Sequence, residues 1–341
     1  MRKAFVYALV LLTAVVSAVD SVLLKKGWYR TQSRGRKITL NDVEVFDEST
    51  VPDSDYLRVG GRIPTLSKGS VRNLSNATIL KFSFCGVTNV LAGAFENLPK
   101  LEILALLDNE IDHVRAGVFN NMNLTTLYLQ RNQIATIDTK AFDDMPRLYK
   151  LKLNSNKISV WDPNWFHNSP SLTEVLFRRN NIQSIPSKAF QNIKGSHVYQ
   201  GTYLVDTKIY LSKNSISYIS PDALYGLEEL SQLWLDRNRL TELDEGIFAG
   251  ITQMSILFLS KNKLKALPSK MFPKLTSDID ILDLTHNNNI TCLSYDIVSA
   301  VKLTNVQDVR RLDCECVQKL VDRLKEAEKV NEIKADCKKK H

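Results

Sequence analysis

Four of the five cysteines, Cys292, Cys314, Cys316 and Cys337, gather toward the C-terminal end, and Cys85 stands apart. In an oxidising compartment four such thiols close into two disulfides. Three pairings are open, with a metal site as the weaker alternative, because a CxC pair with distant partners does not match common zinc spacings. One unbroken helix from 316 to 337 would hold its ends about 30 Å apart, so a bond from Cys337 to the CxC pair needs a helix break, placed near Asn331. The five histidines, His113, His167, His197, His286 and His341, have no partner at catalytic or metal spacing. No nucleophile elbow, phosphate loop or HExxH phrase occurs. These residues point to cross-linking and not to catalysis, and they call for no cofactor.

Recognition chemistry emerges once the chain is aligned on itself. One column of positions reads Lys81, Ala105, Tyr128, Lys152, Leu176, Tyr210, Trp234, Phe258 and Asp283, far more aromatic and apolar from Tyr128 onward than solvent requires. Three positions later, Arg131, Arg179, Lys213, Arg237, Lys261 and His286 form a basic row. An aromatic stripe flanked by arginines has the composition of an interface. The alternative is that the aromatics merely pack against their cross-strand neighbours.

The elements that must position these columns follow from the repeat itself, a phrase of the form LxxLxLxxNxL with a Phe about ten residues later. Leu124, Leu127, Leu129, Asn132, Ile134, Ile137 and Phe142 recur 24 positions on as Leu148, Leu151, Leu153, Asn156, Ile158, Val160 and Phe166, with one slip at Val160. The frame runs from Ala77 to a ninth copy at Ile279, with a degenerate copy at 53–76 carrying Ile63, Leu66, Val71 and Leu74. Two leucines separated by one residue face the same side of a short strand and bury only against neighbouring copies, so the strands stack as a parallel sheet. An Asn column, Asn109, Asn132, Asn156, Asn180, Asn214, Asn238 and Asn262, turns the chain out of each strand, since its amide both donates and accepts. Cys85 takes the Asn place in the first copy, which reads as a buried, inert thiol. The Phe column, with Leu224 as its one substitute, fills the outer side.

These residues resemble the typical extracellular leucine-rich repeat over 53–291. The expected fold is an α/β repeat solenoid, a curved leucine-rich repeat horseshoe with a parallel concave β-sheet and a small helical cysteine-bearing C-terminal cap at 292–341. Within that superfamily the chain is similar to arthropod Toll-type receptor ectodomains, Slit-like proteins and secreted mosquito immune proteins, but without a cysteine-rich N-terminal cap. The resemblance implies a non-catalytic recognition protein with a role in innate immunity, as a soluble receptor or decoy. The alternative is a structural matrix or cell-adhesion protein. The concave positions Tyr128, Lys152, Leu176, Arg179, Tyr210, Trp234, Arg237 and Phe258 are then the expected contacts for an extracellular protein or glycan. Trp234 points away from the core, so its removal should leave the fold unchanged.

The ends complete the expectation. Arg2 and Lys3, an apolar run from Ala4 to Val15 and small residues to Ala18 read as a secretory signal peptide at 1–18. No second stretch of membrane-spanning length follows it. The formal charge of +8 falls to about +6 once the leader is removed, and secretion sets nucleic acid aside as a partner. Residues 19–52 form a basic arm and a cysteine-free cap. In the arm, Lys25, Lys26, Arg30, Arg34, Arg36 and Lys37 read as a solvated run, with binding to anionic glycans, membranes or nucleic acid as the alternative. In the cap, Ile38, Leu40, Val43 and Val45 suggest a strand or hairpin pairing with the first repeat. Ten extra residues fall within 194–205, where Val198, Tyr199, Tyr203 and Leu204 suggest a projecting hairpin. Asn73, Asn76, Asn123 and Asn289 begin glycosylation sequons. Self-association is left open and not indicated.

Overall fold

The computed structural model describes residues 22–31, 35, 37–52, 55–193, 197–199 and 203–336, so the expected leader and Cys337 lie outside the described residues. One 14-stranded sheet runs the length of the molecule. It starts at Ile38–Val43, passes through Leu24–Thr31 to Tyr56–Gly61, and then follows chain order to Glu332–Lys334. The first two junctions are antiparallel and the remainder are parallel. Leu127, Leu129 and their counterparts are excluded from solvent, as the paired leucines require.

Each turn out of the sheet is held by its asparagine. Nδ2 of Asn156 donates to the carbonyls of Leu129 and Leu153 at 3.0 Å each, while its Oδ1 accepts from the Ile134 amide at 3.0 Å. The ladder continues one repeat beyond the sequence reading, to Asn287, which bonds Leu259, Leu284 and Leu264 in the same way. Cys85 fills the place as expected, its thiol donating to Val59 and Ser83 carbonyls. Burial pushes that thiol up to about 12 against the opposing pull of Arg58, so it stays protonated.

The phenylalanines set the curvature. Phe119, Phe142 and Phe166 stack with centroids 6.4 and 6.0 Å apart, whereas neighbouring strands lie only about 4.8 Å apart. The Phe side is therefore the longer arc, and the sheet lines the concave face. The slip at Val160 resolves here. Val160 is 71% exposed, and Trp161 takes the inward place of Ile137, packing with Trp165, Phe177 and Phe190. Both indoles find acceptors, the carbonyls of Ala189 and Ile137.

Two features at the ends differ from expectation. Part of the basic arm is structured, because Lys25, Lys26 and Arg30 belong to the strand Leu24–Thr31, and this strand, not the one at Ile38–Val43, pairs with the first repeat. The alternation at Ile38 was legible, but the strand before it buries only Leu24, Tyr29 and Thr31, which a run of cations disguises. The C-terminal cap is more than helical: Val301–Asn305 and Glu332–Lys334 extend the parallel sheet, with helix Cys314–Glu326 packed beside them. That helix ends before Asn331, whose side chain instead donates to the Val301 carbonyl at 2.6 Å. Cys292 is bonded to Cys316 with Cα atoms 6.0 Å apart, and Cys314 is disulfide-bonded as well. The insertion contains an antiparallel pair, His197–Tyr199 with Tyr203–Val205.

Candidate functional site on the concave face

The strand register carries the aromatic column across the sheet without interruption. Ala105, Tyr128, Lys152, Leu176, Tyr210, Trp234, Phe258 and Asp283 lie directly opposite one another in successive pairs. From Tyr128 to Phe258 each member is half-buried. Parallel pairing without bulges keeps them on one face, because every repeat enters the sheet at the same residue of its phrase.

The column has two parts. In the front half Lys152 Nζ sits 4.9 Å from the Tyr128 ring centre. Burial, aided by neighbouring Lys150, lowers the Lys152 pKa against the opposing pull of Glu174. Glu174 is bonded to Lys150 at 2.6 Å. In the rear half, Trp234 lies 5.6 Å from Tyr210 and 4.1 Å from Phe258 between ring centres. Gln232 Oε1 accepts from both the Tyr210 hydroxyl, at 3.2 Å, and the Trp234 indole, at 3.1 Å. Burial raises the Tyr210 pKa, and Glu174 adds to it, so the phenol stays a neutral donor. Gln232, absent from the sequence expectation, orients both rings. Its signal was its place two residues before Trp234, on the same face of the strand.

The basic row lies along one rim. Arg131, Arg179, Lys213, Arg237, Lys261 and His286 all have φ between 55 and 60°, and the amides of Arg179, Lys213, Arg237 and Lys261 each donate to a carbonyl of the next repeat. The turn thus fixes the row at the spacing of the strands. Arg131 is neutralised by Asp108, which accepts from its Nη2 at 2.6 Å. Farther back, Lys213 faces Arg179, Arg178 and Arg237, and their charges lower its pKa. The expected contacts Arg179 and Arg237 therefore lie at the rim beside the stripe, and Arg178 joins them.

The remaining expected sites are dispersed. Asn73, Asn76 and Asn123 are exposed, and Asn289 is half-buried. Asn73 Oδ1 accepts from Asn97, and Asn76 Oδ1 from Lys100. Among the described residues no group of three His, Cys, Asp or Glu side chains could hold a metal ion, and no helix is long and apolar enough to cross a membrane.

Comparison with known proteins matches the leucine rich repeat model at residues 75–134, 122–182 and 228–290, half of the chain. The leucine-rich repeat-containing G-protein coupled receptor 5 of Rattus norvegicus is 32% identical over 144 residues, covering 39% of this chain and 15% of the receptor. The leucine-rich repeats and immunoglobulin-like domains protein 2 of Homo sapiens is 33% identical over 93 residues, 27% of this chain and 9% of that protein. The matched segments are thus small parts of these relatives. Among solved structures, a chain of the octameric complex of Latrophilin 3, Unc5D and FLRT2 aligns with TM-score 0.57 and 20% identity over 76% of this chain and 84% of its own. A chain of the Toll–Spatzle complex aligns with TM-score 0.52 and 17% identity over 68% of this chain and 31% of its own. At these identities both likenesses speak for the fold.

Proposed function

Since the chain belongs to the leucine-rich repeat family, we propose that it is a secreted, glycosylated recognition protein that binds an extracellular protein through its concave face and acts in innate immunity as a soluble receptor or decoy. The observation that carries the reading is the unbroken register from Tyr128 to Phe258, which gathers six half-buried side chains from separate repeats into one stripe beside rim cations that crowd one another. Such a surface supplies a central aromatic anchor and a charged border, the anatomy of a protein interface. The immune role is supported by the solved Toll–Spatzle complex, described as a hub in development and innate immunity, to which the fold is similar. Secretion is supported by the leader pattern at 1–18, and glycans at Asn73, Asn76 and Asn123 would leave the stripe from Tyr128 to Phe258 free.

The test is recovery of partners from body fluid on the secreted, tagged protein, with Trp234→Ala and an Arg179→Glu/Arg237→Glu double variant run beside it. A partner held by wild type should lose on the order of 2 kcal/mol of affinity with Trp234→Ala, as for a central interface aromatic. With the double variant it should associate more slowly and with less dependence on salt. A partner whose affinity ignores all of these changes would place the contact elsewhere and overturn the proposal.

A further inference from the structure

The concave column does not stop at Lys81. It continues forward to Arg58, directly opposite Lys81 in the parallel pair, and to Arg30, directly opposite Arg58 in the antiparallel pair. Three cations therefore occupy adjacent cross-strand positions on one face, roughly 5 Å apart. Lys37 adds a fourth charge, its Nζ 4.3 Å from the Trp28 ring centre, and the Arg58 guanidinium is 5.7 Å from that ring. The indole lies flat on the sheet, because a Cβ added to Gly60 would fall 2.3 Å from it.

Like charges directly opposite each other destabilise a sheet, and no ion pair among the described residues reaches Arg30, Lys37, Arg58 or Lys81. The cost is compounded at two atoms. Nε of Arg30 and Nε of Arg58 are both buried and have no hydrogen-bond partner. A buried N–H of a charged group without an acceptor is expensive to keep, and the fold retains two such donors on facing arginines.

We infer that Arg30, Arg58 and Lys81, bordered by Lys37 and Trp28, form an oxyanion site separate from the aromatic stripe, which takes a tetrahedral oxyanion, the sulfate or phosphate ester of a glycan. Guanidinium forks match such an oxyanion in geometry, and its three terminal oxygens accept from several cations at once, where a carboxylate offers two. The site does not depend on the protein-binding reading of the stripe, which begins at Tyr128, two strands beyond Lys81.

The test is thermal unfolding of the purified full chain in sodium sulfate, phosphate or acetate, each against chloride at matched ionic strength. Sulfate and phosphate should raise Tm in a saturable way and acetate should not. Arg58→Gln and, independently, Lys81→Gln should raise Tm in chloride, because each relieves repulsion, and should abolish the anion response. Trp234→Ala should keep that response. A heparin-derived oligosaccharide and a phosphorylated oligosaccharide, titrated separately by calorimetry, distinguish the two ester sources, with a loss of roughly tenfold or more in the variants for whichever binds. A Tm that falls in both Gln variants in chloride, or an anion response that survives them, would show that the cations are structural. An acetate response equal to that of sulfate would replace the glycan ester by an acidic protein side chain, and a response lost with Trp234→Ala would move the site to the stripe.

Discussion

Replacing Trp234 by alanine tests whether the concave aromatics are free surface or packed structure, before any partner is known. The ring has two aromatic neighbours, Phe258 at 4.1 Å and Tyr210 at 5.6 Å, and its indole nitrogen donates to Gln232. Aromatic pairs contribute about 0.5 to 1.5 kcal/mol each beyond the area they bury, so losing two costs about 1 to 3 kcal/mol. Gln232 keeps the Tyr210 hydroxyl as a donor, so no orphaned acceptor adds to the loss. We expect about 2 kcal/mol, although the side chain lies outside the leucine core, where the sequence alone suggested no effect. Urea unfolding followed by circular dichroism gives the total. Native-state hydrogen exchange shows where it falls, with protection lost at Lys208–Tyr210, Gln232–Trp234 and Ile256–Phe258, since a solenoid transmits little beyond the adjacent repeats. Trp234→Phe should recover most of the loss. A variant within about 0.5 kcal/mol of wild type, the range of an ordinary surface substitution, would refute the packing argument.

Other outcomes follow from the same geometry. Asn156→Ala orphans the Ile134 amide, bonded at 3.0 Å in a place only 8% exposed, and takes one of two donors from each of the Leu129 and Leu153 carbonyls, which keep Asn132 and Asn180; it should cost about 2 kcal/mol by denaturant midpoint. Cys316→Ser opens the bridge to Cys292, which spans 24 residues, and should cost roughly 3 kcal/mol and lower the yield of folded protein. Cys85, the free and buried cysteine, should not react with a thiol reagent at about pH 8 in the native protein and should react in urea, because burial keeps it a thiol. Replacing residues 194–205 by Pro–Ser, the dipeptide that Pro170 and Ser171 supply at the same point of the preceding repeat, should leave the unfolding midpoint unchanged while altering partner binding. A collapse of the fold would show that the inserted pair belongs to the core.

The repeat made the middle of this molecule legible from residues alone. A strand phrase that cannot bury its leucines by itself dictates stacking, and stacking with a constant phrase dictates register, so the column from Lys81 to Asp283 was readable without coordinates. The asparagine ladder followed from the same logic, since one amide must satisfy both sides of each turn. Where the phrase weakens, neighbours decide. Trp161 and Val160 exchange roles because a buried indole finds an acceptor at Ala189 that no local pattern announces. Arg30 looked like part of a solvated arm, and only the antiparallel pairing of its strand with the first repeat brings it opposite Arg58.

The sequence by itself therefore determined the solenoid, the inward and outward faces of its strands and the composition of the concave surface, because a period-two strand repeated at constant spacing leaves no other arrangement that buries its leucines. The concave sheet was expected from the resemblance, and the tertiary structure supplied its physical basis, the wider stacking of the phenylalanines. It also decided that Cys292 meets Cys316, that the C-terminal cap adds two strands to the sheet, and that cations from separate strands line up beside Trp28. These are contacts between segments with no repeated phrase in common, and nothing local to either segment specifies the other.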